Sequence, residues 1–461
     1  MSKEISITYV GGGSRGWAWT FMTDLAMEKE LCGTIRLYDI DKEAAEKNRI
    51  IGERVMKLPD AVGNWKFEVY DTLEESLKES DFIVISILPG TFDEMESDVH
   101  LPERLGIYQS VGDTAGCGGM IRAIRTIPMF TEIAKAIEKC CPDAWVINYT
   151  NPMSICVKSL YAAFPKIKAF GCCHEVFGTQ KVLQEVYEKE TGEKISDWHD
   201  IHINVVGINH FTWFTECSYK DIDLFPIYRD YIDKHFDEGI RLESENWLNA
   251  NFLCAHRVKM DLFNRYGLIA AAGDRHLAEF MPGNEYLKDP ETVHKWDFEL
   301  TSVKWRKEDM EERLKRSERL ADGSEEMKLQ ATGEEGIILI KALCGLGRFI
   351  SNVNIPNYAL QIPNLPAEAV VETNAVFSRD SIRPIFAGEV EEDVKALIMP
   401  HIKNHERTLE AALTCNRELL YEAFKNDPQL IGKNCSDEDI KSLVDDMIDN
   451  TIEYLPKEWR R

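Results

Sequence analysis

Short apolar, β-branched runs recur through the first 175 residues, separated by stretches with helical spacing. The runs are "ISITYV" (5–10), "TIRLYDID" (34–41), "DFIVISIL" (81–88), "AWVINYT" (144–150) and "KIKAFGCC" (166–173). Between them lie helical patterns such as "WAWTFMTDLAMEKE" (17–30) and "IRAIRTIPMFTEIAKAIEKC" (121–140). Strand–helix alternation of this kind predicts a parallel, doubly wound sheet. Ligands of such sheets sit at the carboxyl ends of the strands. That places Pro89-Gly90, Asn151-Pro152 and Cys173-His174 around one crevice.

The pattern then loosens. "HINVVGINHFTWFTECSY" (202–219) is strand-rich, and "LIAAAGDRHLAEF" (268–280) turns from apolar to polar to helical. "KWRKEDMEERLKRSERLADGSEE" (304–326) reads as a solvated helix without a functional role. "NIPNYALQIPNLPAEAVVETNAVF" (354–377) reads as a proline-punctuated loop leading into a strand. The last eighty residues are helical and acidic. The expected division is 1–198, a nucleotide-binding α/β domain, and 199–461, an α+β domain carrying substrate and metal.

Composition narrows the partners. The 461 residues are 44% hydrophobic, enough for two cores. The formal charge of −25 makes nucleic acid and anionic lipid poor partners. Small molecules and further copies of the chain, as a homodimer or homotetramer, are expected instead. No run of 18 apolar residues predicts a membrane span, and the N-terminus enters a strand without a signal-peptide pattern. Twelve scattered cysteines fit free thiols in a reducing cytoplasm.

The first strand runs into "GGGSRG", which is G-x-G-x-x-G at Gly11, Gly13 and Gly16. A helix and a second strand ending at Asp39 follow. Glycines admit a pyrophosphate, the helix start supplies free N–H groups, and the acid takes a ribose hydroxyl. This favours NAD over NADP.

"AFGCCHEVFGT" (169–179) sets two thiols, an imidazole and a carboxylate side by side. A metal site, a nucleophile and a buried strand end with incidental thiols all fit it. Cys173 with His210, from "GINH", makes a ligand set for a borderline divalent metal; alone, His210 reads as a satisfied structural residue. Cys172 reads as an inert buried thiol. Asp274 in "GDRH" is a site residue or a helix cap, and Asp113 a site residue or a turn residue.

The chain resembles the NAD- and Mn2+-dependent glycosidases of glycoside hydrolase family 4. The carrying motifs are "GGGS" (11–14), "INYTNPM" (147–153), "CHEV" (173–176), "GINHF" (207–211), "GDRH" (273–276) and "NLPAEAVVE" (364–372). "CHEV" is similar to the α-glucosidase and α-galacturonidase branch, and the flanks "SILPG", "HLPERLGIYQSVGDT", "INYTNPMS" and "AGDRHLAEF" are most similar to the bacterial α-galacturonidases. The resemblance implies a Rossmann-type sheet of the lactate/malate dehydrogenase kind followed by a C-terminal α+β catalytic domain. It implies oxidation of a sugar at C3 by NAD+, loss of the C2 proton, elimination at C1, water addition and return of the hydride. By the same resemblance Gly11, Gly13, Ser14, Gly16, Asp39 and Asn148 hold NAD, and Cys173 and His210 hold Mn2+. Asp274 is the implied base and Asp113 its support; His174, which stands where phospho-α-glucosidases have an aspartate acid, is the acid or a ligand of a sugar hydroxyl. Asn151, Arg275 and His276 face the substrate, and Arg275, His276 or Arg122 supplies a cation for a uronate. Expected substrates are short oligogalacturonides, with neutral α-glucosides or α-galactosides as the alternative. A hydroxy-acid dehydrogenase on the same fold would need no metal, and a non-catalytic NAD-binding regulator would not need so many polar residues at strand ends.

Overall fold

The computed structural model describes residues 2–242, 254–330 and 335–460. Its strands are β1 (Lys3–Val10), β2 (Leu31–Tyr38), β3 (Asn64–Val69), β4 (Phe82–Ile85), β5 (Trp145–Asn148), β6 (Lys168–Gly171), β7 (Ile201–Ile208), β8 (Phe211–Tyr219), β9 (Ile222–Asp223), β10 (Ile269–Ala270), β11 (Phe349–Pro356), β12 (Val370–Ser378) and β13 (Ser381–Pro384). The first six pair in parallel in the order β3-β2-β1-β4-β5-β6. This is the doubly wound nucleotide-binding arrangement that the alternating pattern predicts. Central strands such as β4 are buried along their whole length, which explains their unbroken apolar sequence. The run "DFIVISIL" keeps strand form only over Phe82–Ile85; its last residues leave the sheet toward the crevice.

The sheet does not stop at β6. Antiparallel strands β11, β12 and β13 extend it to nine, joined where Asn354 of β11 pairs with Gly171 of β6. Residues on both sides of position 198 therefore share one sheet. Phe170 of β6 packs edge-on against Phe377 of β12, centroids 5.4 Å apart, and closes the core across that join.

The strand-rich stretch after residue 200 is a hairpin. β7 and β8 pair antiparallel, connected by Asn209-His210. His210 lies in the left-handed region (φ 62°), which non-glycine residues adopt at a cost. This smaller sheet leans on the large one, for Asn374 of β12 donates its side-chain amide to the Ile203 carbonyl at 2.6 Å. Among the described residues no helix is long and apolar enough to cross a membrane.

Candidate active site

On the nucleotide side, Gly11 has φ +95°, and a Cβ there would lie 2.0 Å from the Ser86 carbonyl oxygen. Only glycine lets β1 turn so close to the end of β4. The Gly13 N–H donates to Asp39 Oδ2 at 2.8 Å, and the Asp41 N–H to Asp39 Oδ1 at 2.9 Å. Asp39 thus sits at the end of β2 directly against the glycine turn, as the motif predicts. The helix Trp17–Met27 starts at Gly16 with no side-chain cap and no acid in its first turn, so its leading amides suit a phosphate. Asn48, which sequence reasoning missed, moulds the turn. Its Nδ2 donates to the Gly12 carbonyl at 2.7 Å and the Ser14 carbonyl at 3.0 Å.

Asn148 departs from its expected role on NAD. Its Nδ2 donates to the Thr150 carbonyl at 2.9 Å and its Oδ1 accepts the Thr150 N–H at 3.0 Å. It is fully buried and shapes the 148–151 turn, an Asx-type closure onto its own backbone.

The helix Val303–Asp322 also differs from the solvated reading. Arg313 donates through Nη1 to the Arg15 carbonyl at 3.0 Å and lies beside Gly16. Part of the charge run therefore packs on the nucleotide loop.

Across the crevice, Cys173 ends the segment after β6 and leads into the helix Glu175–Thr191. Burial first, then the neighbouring Glu372 and Glu175 carboxylates, push its thiol well above the usual range. His210 is tied down through Nδ1, 3.1 Å from Thr114 Oγ1. That hydroxyl donates to Asp113 Oδ1 at 2.8 Å, so it accepts from Nδ1–H of His210. The tautomer so fixed carries its lone pair on Nε2, the state a metal ligand requires.

The His276 ring lies 3.8 Å, centroid to centroid, from that of His210. Glu175 stands between the histidines. Its Oε1 is 3.7 Å from His276 Nε2 and 4.0 Å from His174 Nε2, and its Oε2 accepts the Gly273 N–H at 2.7 Å. Burial alone would raise this carboxyl, but the His276 and His174 rings and the Gly273 N–H outweigh it and hold it below the carboxylate range. Glu175 is visible in "CHEV" yet has no sequence signal beyond its position between two histidine motifs. Burial likewise opposes ionisation of Asp113, and Arg122 and His276 reverse it. Among the buried side-chain atoms with no partner in the described residues are Asn151 Oδ1, Asn209 Oδ1, Asn352 Oδ1 and His276 Nδ1. Buried polar groups left open at a crevice point to a ligand that completes them. Thiol, imidazole and these open atoms fit a divalent ion with sugar oxygens around it.

Two expected site residues are placed differently. Asp274 has no exposed surface, and its oxygens accept the Val258 and Lys259 N–H groups, each at 3.1 Å. It anchors the start of the helix Arg257–Tyr266 and does not cap its own, Asp274–Phe280, which starts at Gly273. Cys254, His256 and Asp274 bring one ligand atom each within 4.8 Å of one another. The buried Lys259 ammonium beside Asp274 already supplies a positive charge there. Arg275 donates through Nε to the Glu299 carbonyl (3.1 Å) and through Nη2 to Thr301 Oγ1 (2.8 Å) and the Ser110 carbonyl. Those nitrogens hold loops together.

Glu279 supports the site from below. Its Oε1 accepts the Val111 and Gly112 N–H groups at 2.7 and 2.8 Å, fixing the loop that carries Asp113. Burial pushes its pKa from 4.5 up to about 8, with Asp113 adding to the rise. The folded state therefore holds a proton that the unfolded chain releases at lower pH. This contribution is full below about 4.5 and is lost as pH rises through about 8. Melting temperatures of wild type and Glu279→Gln, compared from pH 5 to 9, are expected to diverge, with wild type losing more on the alkaline side. Parallel curves would show that Glu279 is ionised in the fold.

Comparison with known proteins places the chain in a family. The description "Family 4 glycosyl hydrolase" matches residues 6–189, and its C-terminal domain matches 205–430. An α-galacturonidase of Lachnoclostridium phytofermentans is 64% identical over 457 residues, 99% of this chain and 98% of that protein. The crystal structure of a Bacillus subtilis protein, lplD, assigned as a glucosidase, superposes with a TM-score of 0.90 at 49% identity, covering 96% of this chain and 99% of the other. A 6-phospho-α-glucosidase from gut microorganisms, solved with NAD and Mn2+, shares the fold at TM-score 0.78 and 21% identity over 98% and 99% of the chains.

Proposed function

The chain belongs to the family 4 glycosyl hydrolases, and from that premise we propose that it is an α-galacturonidase that cleaves short oligogalacturonides with NAD and Mn2+. The observation that carries the substrate is the 64% identity to an α-galacturonidase over 99% of the chain. When bound, NAD would supply reversible hydride transfer and the divalent ion Lewis acidity. Gly11, Gly13, Ser14, Gly16 and Asp39 hold the dinucleotide, and Cys173 and His210 the metal.

His276 is the group best placed to take the C2 proton. Its Nδ1 is open, and the imidazolium that forms is stabilised by Glu175 at 3.7 Å from Nε2. As the C1–oxygen bond breaks, its electron pair goes to the leaving oxygen, which His174 protonates. His174 is the more exposed of the two, at the mouth of the crevice beside Trp17. Asn151 Oδ1 accepts a sugar hydroxyl. With Arg275 committed to carbonyls, Arg122 is the cation for the uronate. Its Nε donates to the Asn151 carbonyl at 3.0 Å, which sets the guanidinium beside a substrate-facing residue. The twelve cysteines are all free, which fits work in a reducing cytoplasm; assembly as a homodimer or homotetramer is part of the proposal.

The test is a panel of p-nitrophenyl α-glycosides with NAD+, Mn2+ and thiol. The galacturonide is expected to turn over about 10- to 100-fold better than the glucoside and galactoside, the range of one charge-assisted hydrogen bond. NADP+ should substitute poorly, since Asp39 meets its 2′-phosphate. A preference for the glucoside would favour the neutral-sugar reading, and stoichiometric NADH release would mean a dehydrogenase.

A further inference from the structure

The motif that ends in Glu372 has no part in the chemistry above, yet its carboxylate joins every backbone segment that carries a metal ligand. Glu372 lies on β12 and is 1% exposed. Its Oε1 accepts from Asn352 Nδ2 at 2.5 Å, and the same nitrogen reaches the Cys173 carbonyl at 3.2 Å. Its Oε2 accepts from Asn209 Nδ2 at 3.3 Å. Asn209 precedes His210 in the hairpin turn. The chain of contacts runs from the Cys173 carbonyl through Asn352 and Glu372 to Asn209, the neighbour of His210. It spans the end of β6, the β7–β8 turn, β11 and β12.

We propose that Glu372 is a positioning residue that fixes the separation of Cys173 and His210, and so sets the affinity and geometry of the divalent metal held between them. The inference rests on the reading of Cys173 and His210 as ligands. Three facts support it. Both carboxylate oxygens are spent on amide donors, so Glu372 acts through Asn352 and Asn209. Asn209 is chain-adjacent to a ligand whose backbone is held in the left-handed region, so a slack Asn209 frees the turn as well as the side chain. The Asn209 and Asn352 side-chain oxygens have no partner among the described residues, so their Nδ2 bonds orient the amides: to Glu372 for both, and for Asn352 also to the Cys173 carbonyl. Partners of this kind commonly matter 10- to 100-fold to a metal site.

Glu372→Gln tests it, because glutamine keeps the shape but turns one acceptor into a donor that faces another amide donor. The variant is expected to bind Mn2+ about 10- to 100-fold more weakly by paramagnetic resonance titration. Its Co2+ derivative should show a shifted or weakened thiolate-to-cobalt charge-transfer band, while NAD+ affinity and circular dichroism stay unchanged. Glu372→Asp, which keeps two acceptors, should recover part of the affinity. If Glu372→Gln does not fold, Asn352→Ser removes only the arm to the Cys173 carbonyl and is expected to perturb the same band. Wild-type metal affinity and an unchanged cobalt spectrum in a folded Glu372→Gln, or in Asn352→Ser where that variant stands in, would overturn the inference. Full Mn2+ binding by Cys173→Ser would instead sink the ligand assignment on which it rests.

Discussion

Cys173→Ser is expected to abolish Mn2+ binding and lower kcat/KM by about a thousandfold, whereas Cys172→Ser keeps both. The size follows from the several kcal/mol a Lewis acid supplies, about 4 kcal/mol for three decades. A serine hydroxyl does not ionise near neutral pH and is a poor substitute for a thiolate on a borderline metal. Burial of Cys173 sharpens the contrast, because its thiol gives up its proton only when a cation takes the proton's place. Cys172, one residue away, packs against the apolar core of the large sheet. Metal analysis of both purified variants decides the matter, and equal metal content in the two would refute the assignment.

The second large effect concerns the proton at C2. Run in D2O, the wild-type enzyme is expected to give product with deuterium at C2, since the abstracted proton exchanges with solvent. His276→Ala should lose this wash-in and about 100- to 10,000-fold in kcat, the range for a general base, while still binding NAD+. Asp274→Asn should retain the exchange and show mainly a lower melting temperature, because Asp274 serves the helix Arg257–Tyr266. Product NMR separates the two. Deuterium at C2 from His276→Ala with none from Asp274→Asn would restore Asp274 as the base. A glycosidase working through two carboxylates would place no deuterium on carbon in any variant.

The nucleotide half is legible in the sequence because its determinants are local. Gly11, Gly13 and Asp39 meet across one β–α–β unit, and the apolar runs name the strands in order. Asn148 is local as well. An asparagine two residues before Thr150 can close on its own backbone, and that competing use is as readable as a contact to NAD. Asp274 is harder. An acid at a helix start can cap its own helix, serve chemistry or hold another helix, and the choice is made by amides at 258 and 259 that the local sequence does not bring near. Glu175 is hidden for the converse reason. Its weight comes from histidines supplied by the turn after β6 and the helix Asp274–Phe280. Arg313 lies in a charge-dense stretch whose neighbours are mostly solvated, and only the fold shows that it faces the glycine turn.

The nine-stranded sheet has a consequence for how the chain is made. Its six parallel strands are complete once Gly171 has been synthesised, but the neighbour that covers β6 starts at Phe349. Throughout the translation of the segment between them, a nascent molecule carries β6 as a bare edge, with backbone groups ready to pair with another polypeptide. Emergence of β11 and β12 from the ribosome closes that edge and delivers Asn352 and Glu372 in the same event. Sealing the sheet against association and completing the surroundings of Cys173 are thus one late step of biogenesis. A nucleotide-binding half released alone would keep the sticky edge and lack the buttress of its metal site.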